Sequence, residues 1–278
     1  MSKLKMEQLS GMNCHYARYP FLYFLDAMAE EGLKNVEIWA ASPHVHVEDA
    51  TPQVIRETRQ ALEERGLNLV CYTPETVVYP INIAAPEDYI RERSLKFLKR
   101  GVEVAAELGA PLMLLTPGWG YLNQDKEEGL KRSLESVAEM TRKAEQEGIV
   151  LALEHLSPIS SNLINTAADL RRAVDAISSP HLKAMLDTCQ VGLVHEHVRD
   201  YLDLLGDDLV HVHLVDGTPG GHLAFGDGDL PLQEFVDTLG EYGYRHHLSM
   251  EIADRRYFMD PKSADRRSIE AFRSWVEG

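Results

Sequence analysis

Short apolar runs alternate with longer amphipathic segments along the whole of this chain. The runs lie near residues 9–14, 36–39, 67–72, 111–116, 149–154, 182–186, 209–214 and 247–251. They have the length of strands. Helical periodicity fills the intervals at 20–31, 51–65, 87–108, 126–147, 166–177, 198–205, 232–242 and 264–276. Gly32, Gly66, Gly109 and Gly148 close four of these segments, and Thr51 followed by Pro52 opens one, which are the expected helix stop and start residues. Strict alternation predicts a parallel sheet with crossover helices. Eight units in 278 residues predict one closed (β/α)8 TIM barrel, a single domain over 1–278. An open doubly wound sheet would carry a glycine-rich phosphate turn after its first strand, and G-M-N-C-H-Y is not one.

Composition narrows the function. Hydrophobic residues make up 44% and charged residues 26%, enough core for a globular chain. The net charge of −16 argues against nucleic acid, whose phosphates call for clustered Lys and Arg. Cys14, Cys71 and Cys189 are far apart and form no C-x-x-C, so a reducing compartment is expected. No apolar run approaches the roughly 20 residues that span a bilayer, and M-S-K-L-K-M-E-Q opens no secretory leader. A soluble cytoplasmic protein with no membrane partner is the expectation.

Four polar side chains close successive runs in the second half: Glu154, Asp187, His213 and Glu251. A charge at the end of a buried strand is costly unless it is paired or bound to metal. A salt bridge explains any one of them, but no Lys or Arg ends a neighbouring run. Strand side chains alternate, so Glu154 shares a face with Ala152, Asp187 with Met185, His213 with His211 and Glu251 with Ser249. Neighbouring strand ends can therefore converge on one divalent ion. Three carboxylates and one imidazole suit Mn, Co, Mg or Zn. His211 lies deeper and reads as packed beside the site. His195 and His197 read as solvated, and Cys189 as a wall residue. His44 and His222 lie on loops at the rim, where a barrel builds its active site, and are candidate substrate contacts. The loop D-G-T-P-G-G-H-L-A-F-G-D-G-D is a candidate flap because of its glycines.

The segments L-A-L-E, M-L-D-T, H-V-H-L-V-D and S-M-E-I resemble the four ligand segments of the xylose-isomerase-like barrel superfamily, in its D-tagatose 3-epimerase branch. V-E-I-W, Y-T-P-E-T followed by Y-P-I-N, and G-D-G-D-L-P-L are similar to the fructoselysine 3-epimerases within it. The resemblance implies that Glu154, Asp187, His213 and Glu251 hold the metal. It also implies that Glu154 and Glu251 are the catalytic acid/base pair, acting through a metal-stabilised enediolate. It departs from the ketohexose epimerases at three places: Ser160 stands for a substrate-contacting Glu, Gln190 for a His, and T-P-G-G-H lacks an Arg. A small-molecule sugar with a different tail, a ketosamine, is the expected substrate. Glu75 and Tyr79 in the Y-T-P-E-T-V-V-Y loop are further candidate contacts, with Glu75 suited to an ammonium group. The resemblance also admits a homo-oligomer. An aldose–ketose isomerase, an inosose-type dehydratase, a nuclease resembling endonuclease IV and a non-catalytic sugar-binding barrel remain as alternatives.

Overall fold

The structure is a computed structural model that describes residues 4–77, 80–218 and 220–278. Eight parallel strands close on themselves in chain order. They are β1 (Leu9–Met12), β2 (Asn35–Ala40), β3 (Asn68–Pro74), β4 (Leu112–Leu115), β5 (Val150–Glu154), β6 (Leu182–Asp187), β7 (Leu209–His213) and β8 (Leu248–Met250). Closure is made by β1 against β8, with Ser10 beside Ser249. Each predicted run is a strand, and the structure is the TIM barrel that the alternation implied.

The helices are α1 (Phe21–Glu30), α2 (Pro52–Glu64), α3 (Asp88–Leu108), α4 (Lys126–Glu147), α5 (Ala167–Ile177), α6 (Thr188–Leu193), α7 (Val198–Leu205), α8 (Leu232–Glu241) and α9 (Pro261–Glu277). Local chemistry sets their limits. The Thr51 hydroxyl accepts from the Val54 amide at 3.3 Å and Pro52 takes the first helical position, where its missing N–H costs nothing. Gly109 ends α3 at φ +83°, a left-handed conformation that a Cβ resists. The main core lies between the barrel wall and the helices, and includes Leu151, Leu153, Leu186 and Val212. A separate small cluster contains Leu114, Ala152 and Met185. Ala152 and Met185 each sit two residues before a site carboxylate, so this cluster forms the apolar floor beneath it. Among the described residues no helix is long and apolar enough to cross a membrane.

Candidate metal centre

Register carries the four predicted residues to one place. Glu154 ends β5 opposite Met185, Asp187 ends β6 opposite His213, and His213 ends β7 opposite Ser249. Glu251 follows β8 by one residue. One ligand atom from each of Glu154, Asp187, His213 and Glu251 lies within 4.8 Å of the other three. His213 Nδ1 faces the carboxylates, at 2.9 Å from Glu251 Oε2, 3.9 Å from Glu154 Oε1 and 4.0 Å from Asp187 Oδ2. Glu154, Asp187 and His213 are buried.

Asp187 divides its two oxygens between fold and site. Oδ1 accepts from the Gln190 amide at 2.8 Å and caps α6, as an Asp at a helix start does. Oδ2 is buried and accepts no hydrogen bond, although His222 Nε2 lies 3.3 Å away. A buried carboxylate oxygen without a donor is expensive. A divalent cation among three carboxylates and an imidazole removes that cost, so the residues present fit such an ion.

The electrostatics point the same way. Burial pushes the Glu154 carboxyl well above the usual range; His213 opposes the shift, while Glu251 and Asp187 add to it. Burial would also raise Glu251, but the charges of His213 and His222 and their hydrogen bonds hold it below the usual range. Both histidines are raised: burial opposes the proton, and Glu37 with Glu251 for His213, or Glu251 with Asp187 for His222, outweigh it. Without a metal the cluster thus draws protons onto its imidazoles to offset its negative charge.

Glu37 is the residue that sequence reasoning missed. It sits in β2, fully buried, with Oε1 3.1 Å from His213 Nε2 and Oε2 2.7 Å from His211 Nε2. The Thr73 hydroxyl donates to it as well. His213 therefore donates through Nε2 and turns Nδ1 to the carboxylates, the usual arrangement of a metal-binding imidazole backed by a carboxylate. Burial would raise Glu37, yet His213 and His211 keep it well below the usual range. The acid in the middle of N-V-E-I-W-A was the available signal. His211 is buried against Glu37, as its depth in β7 suggested.

The other candidates fall in different places. His222 reaches the cluster, with Nε2 3.3 Å from Asp187 Oδ2 and 3.2 Å from Glu251 Oε2. Glu75 accepts from the Trp39 indole at 2.7 Å and from the Val77 amide at 2.6 Å. Burial raises the Cys14 thiol first, and then Glu251, Glu75 and Glu37 add to it. Tyr79 lies outside the described residues. His44 corrects the sequence reading. It is buried, with Nδ1 accepting from Asn13 Nδ2 at 2.9 Å and Nε2 donating to the Tyr19 carbonyl at 2.7 Å. Both ring nitrogens are committed, so His44 braces a loop and has no atom left for a substrate. Gln190, at the position where ketohexose epimerases carry a His, accepts from the Ser157 amide at 2.8 Å. His195 and His197 are exposed.

The chain matches the xylose isomerase-like TIM barrel family over residues 25–275. It is 31% identical to the fructoselysine 3-epimerase of Shigella flexneri over 269 residues, 95% of this chain and 97% of that protein. The D-psicose 3-epimerase of Enterocloster bolteae is 27% identical over 236 residues, 82% of this chain and 75% of that protein. The crystal structure of D-psicose 3-epimerase with D-tagatose from Clostridium cellulolyticum H10 has a TM-score of 0.81 at 22% identity, covering 97% of this chain and 99% of that one. At that identity the likeness is one of fold.

Proposed function

Because this chain belongs to the xylose isomerase-like TIM barrel family, we propose that it is a divalent-metal-dependent sugar 3-epimerase of the cytoplasm, acting on a ketosamine of the fructoselysine and psicoselysine type. One observation carries the reading. Four ligand atoms from four successive strand ends lie within 4.8 Å, at the barrel mouth of a chain that matches fructoselysine 3-epimerase over 95% of its length.

Glu154, Asp187, His213 and Glu251 are the residues that would hold the ion. When bound, a divalent cation supplies Lewis acidity that stabilises negative charge on a ketose's oxygens. The protein's own groups do the rest. Inversion at C3 needs the proton removed from one face and a proton returned to the other. Glu154 and Glu251 come from strands separated by β6 and β7, so they face each other across the centre. One carboxylate takes the C3 proton and the carbon becomes planar. The other, protonated, gives its proton to the opposite face. The reverse reaction exchanges the two roles, so the step is balanced in both directions. His222 lies beside Asp187 and Glu251 and contacts the substrate's oxygens. Glu75, fixed by Trp39 and the Val77 amide, is the carboxylate for an ammonium-bearing tail. Ser160 and Gln190, where the ketohexose enzymes carry acid and base, fit the preference for a ketosamine over a free ketohexose.

The test is interconversion of fructoselysine and psicoselysine by chelator-stripped protein, before and after Mn²⁺ or Co²⁺ is added, with D-fructose as comparison. The expected result is metal-dependent interconversion that is faster with the ketosamine. Full turnover in stripped protein, or an aldose product, overturns it.

A further inference from the structure

The loop between β7 and α8 is built around a buried carboxylate. Asp216 is 1% exposed, and its side chain accepts four main-chain N–H groups. Oδ1 takes Gly217 at 2.8 Å and Leu230 at 3.1 Å, and Oδ2 takes Gly226 at 2.9 Å and Gly228 at 3.0 Å. Among the described residues no Lys or Arg pairs with it. Its negative charge is spent wholly on folding the loop back on itself, because four N–H dipoles satisfy a buried carboxylate without a counter-ion. The packing around it is close: a Cβ on Gly228 would stand 2.3 Å from Asp216 Oδ1 and 2.6 Å from the Gly217 nitrogen. Gly228 serves close packing on Asp216, while Gly220, Gly221 and Gly226 take positive φ values of +85°, +111° and +86°.

His222 lies on this loop, one residue before Leu223. Leu223 bonds the Asp216 backbone in both directions, at 3.1 Å and 2.8 Å. His222 has φ +45°, a conformation that a non-glycine residue holds only when its surroundings over-determine it. Its carbonyl accepts from the Ala253 amide at 3.0 Å and the Asp254 amide at 3.3 Å, tying it to the segment that follows Glu251. A second brace lies outside: Asp227 pairs with Arg267 at 2.7 Å and accepts from the Tyr257 hydroxyl at 2.7 Å. The loop is thus held from within by Asp216 and against α9 by Asp227. Its strained histidine points at the metal centre.

We infer that Asp216 is a positioning residue, whose four-amide bracket holds the His222 imidazole against Asp187 and Glu251, where it meets the substrate. The inference rests on the epimerase reading of that centre. A displacement of about 1 Å in such a contact lowers turnover by roughly 10²-fold. Asparagine at 216 keeps one acceptor oxygen and turns an N–H₂ toward two amide donors, so the bracket opens.

The experiment is a double-mutant cycle of Asp216→Asn and His222→Asn, with fructoselysine as substrate and Mn²⁺ binding measured in parallel. Asp216→Asn should lower kcat/KM by at least about 10-fold with Mn²⁺ affinity close to wild type. In the His222→Asn background it should cost no more than about twofold, since residues acting through one another are not additive. An equal loss in both backgrounds, or wild-type kinetics in Asp216→Asn, overturns the inference. A second readout needs no turnover. Bound Co²⁺ should give the His222 ring protons paramagnetic shifts in the wild type, which depend steeply on distance and angle, and Asp216→Asn should change them. Shifts that stay the same overturn the inference even if fructoselysine is no substrate, whereas absent turnover with the expected change in shift overturns only the epimerase reading. If Asp216→Asn does not fold, Gly228→Ala opens the same bracket and carries the same readings.

Discussion

Replacing Glu37 with glutamine should weaken metal binding without unfolding the protein. The carboxylate accepts from His213 at 3.1 Å, from His211 at 2.7 Å and from the Thr73 hydroxyl. A glutamine offers one acceptor oxygen in place of two and presents an N–H₂ to an imidazole that must itself donate. His213 then loses the anchor that aims Nδ1 at Glu154, Asp187 and Glu251. A hydrogen bond to a charged group contributes ~1.5–3 kcal/mol. At ~1.4 kcal/mol per decade this predicts a Kd for Mn²⁺ that is ~10–100-fold higher, the range typical of carboxylates behind a metal-binding imidazole. Titration calorimetry of chelator-stripped Glu37→Gln with Mn²⁺ reads the change, and far-UV circular dichroism checks the fold. A Kd within about twofold of wild type in a folded variant would refute the view that Glu37 orients His213.

Two other consequences can be measured. Glu154→Gln and Glu251→Gln each keep an oxygen for the cation but cannot carry a proton, so each should lose at least about 10²-fold in kcat; near-normal turnover would leave that residue a ligand only. His44 is lowered from its ordinary 6.5, first by burial, with only the Tyr19 carbonyl opposing. The unfolded chain therefore binds a proton at His44 before the folded one does, and the stability it contributes is full above pH 6.5 and lost as pH falls below it. An NMR titration should find His44 neutral at its ordinary midpoint, and a midpoint at or above 6.5 would contradict the buried bracing role.

The barrel and the cluster of four polar strand ends were legible because both depend on local pattern. The last four runs, with period-two faces, each place a final polar residue inside the mouth, and closure of the sheet brings neighbours together. Other features depend on contacts between distant segments. Glu37 meets His211 and His213 across 174 and 176 residues of sequence, and only closure of β2 and β7 into one barrel joins them. The orientation of the His44 ring is set by Asn13 and Tyr19, which no spacing in the second loop encodes. α6 spans six residues, too few for a periodic signal, and its only mark was Asp187 at a helix start. The glycines of the last loop suggested freedom, and no spacing announced that the amides of Gly217, Gly226 and Gly228 converge on the Asp216 carboxylate.

The most direct test of the account is proton exchange in D₂O with fructoselysine, followed by NMR. Deuterium entering at C3 and at no other carbon, lost together with metal removal, is the predicted result. Label at C1 with an aldose product, loss of water, or no exchange in the Mn²⁺-loaded protein would contradict it.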